Sequence, residues 1–195
     1  DGHGLPHDPF KAIVAPRPIG WISTVDGEGR HNLAPYSFFS AIATTPPMVS
    51  FTSEGLKDSA VNARDTGEFV CNLSTLALAH EMNASARQTA PDVDEFALAG
   101  LDTAPCTLVK PLRVAASPAV LECRVTDFIH LKDARGEALN RYMVLGEVVG
   151  VHIDEAYLKD GLFDTAAAQS LARCGYMDYA AVNEVFALRR PDAAE

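Results

Sequence analysis

A lysine and several hydroxyl groups cluster at the predicted start of a helix. Thr52 and Ser53 precede the helix, and Lys57, Asp58 and Ser59 open it. A helix N-terminus holds phosphate because it exposes unpaired N–H groups and a partial positive charge, and hydroxyls and a lysine add charge-assisted bonds. We expect Asp58, which would repel a phosphate, to cap the helix instead. The pattern therefore predicts a phosphate site, and an ordinary capped helix without a ligand is the alternative.

Upstream of that helix, hydroxyl and aromatic side chains occupy consecutive positions. The run comprises Pro35, Tyr36, Ser37, Phe38, Phe39 and Ser40. A core strand would keep the two kinds of side chain on opposite faces, and the bracketing prolines, Pro35 and Pro46, favour a bent segment that offers backbone N–H groups outward. Such a surface suits a flat heteroaromatic ring with polar edges. A plain Ser/Phe alternation with the phenylalanines in the core is the alternative.

Further polar side chains precede this run. Arg17 stands between two prolines, which fix the backbone around the guanidinium and limit the entropy lost when it grips a ligand. Ser23 and Thr24 follow on one predicted strand, and Asn32 lies on the next. The region from 16 to 59 is therefore predicted to bind a ligand that is both flat and phosphorylated.

The sequence lacks the common motifs of other ligand and catalytic sites. It contains no Gly-x-Gly-x-x-Gly between a strand and a helix, no P-loop, no His-Glu-x-x-His and no Gly-x-Ser-x-Gly. His3 and His7 are four residues apart, but they lie in an irregular arm and would need ligands from elsewhere to hold a metal. His80, His130 and His152 lie on separate elements, so we expect surface or satisfied core histidines. No metal site is predicted.

The elements that must position these residues are mostly strands. A strong turn signal, Asp26-Gly27-Glu28-Gly29, separates two extended runs and predicts a hairpin. The predicted strands cover 19–25, 30–35, 48–52, 68–73, 119–131 and 141–153, and the predicted helices cover 57–66 and 75–86. Gly146 and Gly150 are expected at bulges or close approaches in the last strand. Six or so strands with only short helices between them favour an antiparallel barrel over a βαβ sheet.

Length and charge narrow the class of protein. The chain has 195 residues, of which 48% are hydrophobic, and its formal net charge is −10. We predict one domain over 1–195, with an N-terminal arm over 1–12 and a frayed tail over 189–195. The acidic balance argues against nucleic acid or an anionic membrane as the main partner. No run approaches the length of a membrane helix.

The cysteines and the first residues indicate the cellular compartment of the protein. Cys71, Cys106, Cys123 and Cys174 are far apart and form no Cys-x-x-Cys pair, so buried free thiols are expected rather than disulfides. Residues 1–11 show no basic start followed by an apolar stretch, and hence no secretory signal. The prediction is a cytoplasmic protein.

An ordered series of motifs gives the chain a family resemblance. The series is Arg17-Pro-Ile-Gly-Trp-Ile-Ser-Thr24, Asn32-Leu-Ala-Pro-Tyr-Ser-Phe-Phe39, Pro46-Pro47, Lys57-Asp-Ser59, Thr66-Gly-Glu-Phe-Val70, Leu145-Gly-Glu-Val-Val-Gly-Val-His152 and Gly175-Tyr-Met-Asp-Tyr-Ala180. Together these segments resemble the flavin reductase-like, FMN-binding split-barrel family, over nearly the whole chain. The resemblance implies a mainly β fold, an antiparallel Greek-key split β-barrel with a few short helices. It also implies a homodimer with an FMN site near the interface.

The resemblance also implies roles for individual residues. Ser23 and Thr24 would lie beside the flavin, and Asn32 with the 35–40 segment would follow the isoalloxazine ring and the ribityl chain. The implied phosphate ligands are Thr52, Ser53, Lys57 and Ser59, and Arg17 would approach the ring or the phosphate. The implied cofactor-binding set is Arg17, Ser23, Thr24, Asn32, Pro35, Tyr36, Ser37, Phe38, Ser40, Thr52, Ser53, Lys57 and Ser59. Tyr176 and Met177 would close the site from the partner subunit.

The implied activity is that of an NAD(P)H-dependent flavin reductase. Hydride would pass from NADH or NADPH to flavin N5, and the electrons would go to a partner oxygenase or a small acceptor. This step needs no side-chain acid or base, so no catalytic residue is predicted. Two other readings stay open: an FMN-binding electron-transfer protein without efficient turnover, and a barrel that binds another planar ligand such as heme.

Overall fold

Antiparallel strands make up most of the fold. In the computed structural model, which describes residues 2–90, 92–189 and 191, the strands are β1 (Arg17–Pro18), β2 (Gly20–Val25), β3 (His31–Tyr36), β4 (Phe39–Thr44), β5 (Pro47–Glu54), β6 (Glu68–Leu73), β7 (Thr103–Ala104), β8 (Arg113–Val114), β9 (Ala119–Lys132), β10 (Ala138–Ile153), β11 (Leu158–Lys159), β12 (Leu162–Phe163), β13 (Leu171–Arg173) and β14 (Tyr179–Ala181). The helices are short: α1 (Phe10–Ile13), α2 (Asp58–Thr66), α3 (Ala79–Ala84), α4 (Glu95–Leu98) and α5 (Thr165–Ala168), with 3₁₀ turns at Leu76–Leu78 and Glu155–Tyr157.

Seven strands form the central sheet in the order β3-β2-β6-β9-β10-β5-β4, and every pairing in it is antiparallel. The predicted hairpin is confirmed, because Gly20 to Val25 pair with Tyr36 to His31 across the turn. The strands predicted over 119–131 and 141–153 are present as β9 and β10, which pair with each other and show register shifts next to Gly146 and Gly150. The fold is the mainly β split barrel that the sequence predicted.

Strand β2 lies at the centre of the packing and is covered on both faces. Ile22 joins a cluster with Phe51 and Phe69, whose rings meet edge to face with centroids 5.3 Å apart. Trp21 points the other way and joins a cluster that includes residues of α3 and α4. Because all six residues of β2 are buried, even its hydroxyl side chains lie inside the protein.

Two sequence predictions about helices need correction. Residues 75–86 do not form one helix: a 3₁₀ turn over Leu76–Leu78 precedes the short helix α3. Asp58 is the first residue of α2 rather than its cap, since Lys57 occupies the cap position and makes no side-chain cap hydrogen bond. Helix α2 ends where the sequence predicted, because Gly67 is left-handed (φ 74°) and its N–H donates to Ala63 O.

The predicted tail over 189–195 lies outside the described residues apart from 189 and 191. Across the described residues, no helix has the length and apolar character that spanning a membrane requires.

Candidate functional site

A cleft of about 480 Å³ opens beside the N-terminus of α2. Its walls come from β3 and the turn after it (32 and 34–38), β5 (52 and 54), the start of α2 (57–59) and the segment 85–89, with Glu95 and Arg141 completing the lining. The volume is typical of pockets for small molecules and cofactors.

The start of α2 presents backbone N–H groups to this cleft. The amides of Ala60 and Val61 both donate to Lys57 O, each at 2.9 Å, so the amides that precede them have no acceptor within the helix. The loop that leads into the helix is fixed, because Ser53 Oγ donates to Gly55 O (2.9 Å) and Gly55 N donates to Asn140 O (3.1 Å). A helix N-terminus with free amides has the donors that an anion can use.

The positive charges of the cleft differ in their pairing. Arg141 pairs with Glu54 across the β5–β10 ladder, at 2.8 Å between Nη2 and Oε1. Lys57 and Arg87 form no ion pair within the part of the chain that the structure describes. Two cations are therefore available to an anionic ligand from opposite walls, one on the helix cap and one in the 85–89 segment.

A buried carboxylate joins the walls. Glu95 is 4% exposed, and its Oε2 accepts from Asn32 Nδ2 (3.0 Å) and from the backbone N of Leu33 (3.1 Å). Its Oε1 accepts from the hydroxyl of Thr89 at 2.7 Å. On the far side of Asn32, Oδ1 accepts from Ser59 Oγ at 2.6 Å. Hydrogen bonds thus run without a break from the 85–89 segment through β3 to the first turn of α2.

Most of the residues predicted for the site come together in this cleft. Those that line it are Asn32, Pro35, Tyr36, Ser37, Phe38, Thr52, Lys57 and Ser59. Phe38 is 43% exposed and offers an aromatic face at the mouth, whereas Tyr36 is buried and its ring packs on Phe51 at 4.9 Å between centroids. Burial raises the pKa of the Tyr36 hydroxyl.

Three predicted hydroxyl residues lie outside the cleft because their side chains are used inside the protein. Ser23 Oγ donates to Leu112 O at 2.6 Å, and Thr24 Oγ1 accepts from Asn62 Nδ2 at 3.2 Å. Ser53 donates to the backbone, as described above, and none of the three is exposed. Ser40 also lies outside the cleft: it is exposed on β4, and its hydroxyl donates to Ala41 O.

Arg17 does not line the cleft. The side chain is 7% exposed and donates to the backbone oxygens of Lys11, Val14 and Cys174. Its guanidinium carbon lies 5.9 Å from the centroid of the Phe38 ring. Arg17 therefore fastens the N-terminal arm to the C-terminal segment beneath Phe38. The ligand contact that the flanking prolines suggested for Arg17 stays a prediction.

Tyr176 and Met177 are exposed and do not line the cleft of their own chain. They lie just beyond β13, where Arg173 Nη2 donates to the carbonyl of Tyr176. A contribution from a second subunit stays a prediction.

Sequence reasoning missed the wall formed by residues 85–89, together with Glu54, Glu95 and Arg141. The available signal was Arg87-Gln88-Thr89 directly after the predicted helix 75–86, a cation and two polar side chains at a helix end. Glu95 gave no local signal, because an acidic residue in the first turn of a helix is ordinary.

A further cluster of titratable groups lies outside the cleft. Ligand atoms of Cys106, Glu122 and His152 lie within 4.8 Å of one another. The Glu122 carboxylate already accepts from the amides of Thr107 (2.8 Å) and Leu108 (2.5 Å), from a third amide at residue 109, and from His152 Nε2 (2.5 Å). Burial raises the pKa of the Cys106 thiol to about 12. With its acceptor positions filled, Glu122 organises the 107–109 loop.

The chain is similar to known proteins over most of its length. The family model described as "Flavin reductase like domain" matches residues 14–171. An uncharacterized protein of Deinococcus radiodurans is 38% identical over 176 residues, which are 84% of this chain and 74% of the relative. The uncharacterized protein YwrF of Bacillus subtilis is 30% identical over 193 residues, 94% of each chain.

Solved structures match over nearly the whole chain. Nitrilotriacetate monooxygenase component B from Bacillus cereus superposes with a TM-score of 0.86 at 26% identity, covering 95% of each chain. Flavoredoxin of Desulfovibrio vulgaris superposes with a TM-score of 0.80 at 19% identity, covering 96% of each chain. The second likeness concerns the fold alone.

Proposed function

Because the chain belongs to the flavin reductase-like domain family, we propose that it is an FMN-dependent oxidoreductase that takes hydride from NADH or NADPH. Family membership supports flavin oxidoreductase chemistry in general. The finer statement, which names FMN and a nicotinamide donor, is supported by the cleft beside α2 and by the likeness to a monooxygenase component at 26% identity.

The observation that carries the proposal is the composition of the cleft. It combines a helix N-terminus, two unpaired cations and an exposed aromatic face in one space of about 480 Å³. These are the features that a phosphate, a polar chain and a flat ring require in one ligand. The donor set therefore fits FMN.

The phosphate end is assigned to the first turn of α2. Lys57 and Arg87 would supply charge-assisted hydrogen bonds from opposite sides, and Thr52 would add a hydroxyl. Ser59 contributes through its backbone N–H, because its hydroxyl proton is engaged by Asn32.

The ring end is assigned to the turn after β3. Phe38 offers a face for stacking, and the backbone around Ser37 offers N–H groups to the polar edge of the ring. These amides would also stabilise negative charge at that edge in the reduced cofactor.

When bound, FMN supplies the hydride acceptor, so the protein needs to provide only placement and electrostatics. The task of this chain is to hold the ring with one face open, so that a nicotinamide can stack within roughly 3–3.5 Å of the reacting atom. No side chain in the cleft is required to transfer a proton in that step.

We also propose that the site is completed in a homodimer and that the electrons go to a partner oxygenase or a small acceptor. The dimer is supported by exposed apolar side chains in the cleft wall (Phe38), on β4 (Ile42) and near the C-terminus (Met177, 82% exposed). A partner oxygenase is supported by the likeness to nitrilotriacetate monooxygenase component B of Bacillus cereus.

The test is a flavin titration followed by anaerobic reduction. Purified protein is titrated with FMN by flavin fluorescence, and NADH or NADPH is then added while the flavin absorbance is followed. Binding with rapid bleaching supports the reductase. Binding without bleaching points to the electron-transfer protein. No flavin binding, with a different visible chromophore, would refute the proposal in favour of another planar ligand.

A further inference from the structure

Glu95 differs from an ordinary acidic residue of a first helical turn. The cap of α4 is Asp94, whose Oδ1 accepts from the amide of Phe96 at 2.8 Å. Glu95 is therefore not needed for capping, and its carboxylate leaves the helix to accept bonds from β3 and from Thr89. A carboxylate that is 4% exposed and holds two separate chain segments has a specific task in this part of the molecule.

The bonds to β3 fix an edge strand. Within the described residues, β3 is an edge strand that pairs with β2 alone in the central sheet, so the outward N–H of Leu33 has no strand partner there. Glu95 Oε2 accepts that N–H and the side-chain amide of Asn32 together. This contact ties α4 to the strand whose continuation forms the turn around Phe38.

The same carboxylate sets the direction of Asn32. Because a carboxylate only accepts hydrogen bonds, the Asn32 amide must turn its Nδ2 toward Glu95. Its Oδ1 then faces Ser59 and engages the Ser59 hydroxyl proton. The orientation of groups at the first turn of α2 is thus decided by a residue 36 positions away from Ser59.

The bond to Thr89 acts on the opposite wall. Thr89 belongs to the 85–89 segment that carries Arg87, and its hydroxyl donates to Glu95 Oε1 at 2.7 Å. At its other end the segment is held by Ser85, whose Oγ accepts from Trp21 Nε1 (2.9 Å) and donates to Met82 O (2.8 Å). The position of Arg87 therefore depends on Glu95 at one end and on the core at the other.

We propose that Glu95 is a positioning residue that holds the two walls of the cleft in the arrangement that receives the phosphate end of FMN. This inference rests on the proposed function. Glu95 brings a negative charge to a cleft for an anion, which by itself disfavours binding. Its effect through Asn32, Ser59 and the Arg87 segment must outweigh that charge.

Variants that change the hydrogen bonds of Glu95 and its charge separately test this positioning role. Glu95→Gln keeps the bonds, because the amide oxygen can face Leu33 N and Asn32 Nδ2 while its NH₂ donates to the Thr89 hydroxyl. Glu95→Ala removes every bond. Thr89→Val removes only the bond to the 85–89 wall. Glu155→Ala is the matched control, since Glu155 also follows a capping aspartate, Asp154, but is exposed and does not line the cleft.

The measurement is the dissociation constant for FMN and for riboflavin, which lacks the phosphate, with thermal unfolding recorded for each variant. We expect Glu95→Ala to weaken FMN at least about tenfold, the equivalent of one charge-assisted hydrogen bond, and riboflavin much less. Glu95→Gln should bind FMN as tightly as the parent or more tightly, and Thr89→Val should weaken FMN by about threefold to tenfold. Glu155→Ala should match the parent.

The outcomes separate this inference from the proposed function. If the parent protein binds FMN and Glu95→Ala binds it equally well, the positioning role is refuted while the proposed function stands. Equal weakening of FMN and riboflavin in Glu95→Ala would refute it too. If Glu95→Ala does not fold, Thr89→Val and Glu95→Gln decide the matter, and parent-like FMN binding by Thr89→Val refutes the role. A parent protein that binds no FMN would overturn both.

Discussion

Replacing Lys57 by methionine tests the phosphate end of the cleft directly. Methionine keeps most of the side-chain length and removes the charge. Lys57 is at the cap position of α2 without a cap hydrogen bond, and a cation there opposes the helix dipole. The substitution should therefore leave the free energy of unfolding unchanged or raise it, so that a loss of affinity would report on the ligand contact.

The expected loss follows from the exposure of the side chain. A hydrogen bond to a charged group contributes about 1.5–3 kcal/mol when it is well shielded. Lys57 is exposed, so solvent and salt screen its charge. We therefore expect a loss around and below the lower limit of that range, about 1–2 kcal/mol, which is about 5-fold to 30-fold in the dissociation constant for FMN.

The assay compares FMN with riboflavin, at low and at high ionic strength. Only FMN should respond to Lys57→Met, and the difference between variant and parent should shrink as salt is added. Lys159→Met is the control, since it removes the same charge from an exposed position on β11, outside the cleft lining. An unchanged FMN constant would refute the contact, as would the same loss for riboflavin or for the Lys159 variant.

Three further predictions concern the folded state. Gly146→Ala places a Cβ 2.4 Å from Phe69 Cε1 in the core and should cost about 1–3 kcal/mol in urea unfolding, whereas Gly27→Ala, with nothing within 4 Å, should cost much less. Burial raises the pKa of Glu122, but its hydrogen bonds from backbone amides and His152 outweigh this and hold the pKa below the usual range. The ionised Glu122 therefore stabilises the folded state fully above the ordinary Glu pKa, and this contribution is lost as pH falls through the lowered value. Glu122→Gln should make the free energy of unfolding depend less steeply on pH in that acid range. Burial raises the pKa of Cys71 to about 12, so a thiol reagent at neutral pH should label it only after denaturation.

A specific result would contradict each of these three predictions. Equal stability of the two alanine variants would mean that the aromatic ring moves aside at little cost. An acid limb of the same slope with and without the carboxylate would show that other groups control acid unfolding. Rapid labelling of the buried thiol in the native protein would indicate frequent local opening of the sheet.

The parts of the fold that sequence analysis predicted depend on local signals. The β2–β3 hairpin follows from the turn residues between Asp26 and Gly29, where Asp26 Oδ1 accepts from the amides of Glu28 and Arg30. Helix α2 ends at Gly67 because the left-handed conformation there suits glycine. The cleft wall at the start of α2 could be predicted for the same reason, since a helix start with hydroxyls and a lysine is a local pattern.

The parts that it missed depend on distant contacts. Ser23 and Thr24 carry ligand-binding side-chain types, but β2 is covered on both faces, so their hydroxyls bond inside the protein. Arg17 bonds to Cys174 O, 157 positions along the chain. Glu95 looks like a solvated helix residue until the fold brings β3 against α4. No spacing within the sequence reports such pairings.

The burial of Trp21 has a practical consequence for every titration described above. It is the chain's one tryptophan, and its indole N–H bonds to Ser85, the first residue of the segment that forms a wall of the cleft. Flavins absorb where tryptophan emits, so a flavin held in this cleft would quench the intrinsic emission by energy transfer. The molecule thus contains its own optical probe, and cofactor occupancy can be followed from the protein side without any label.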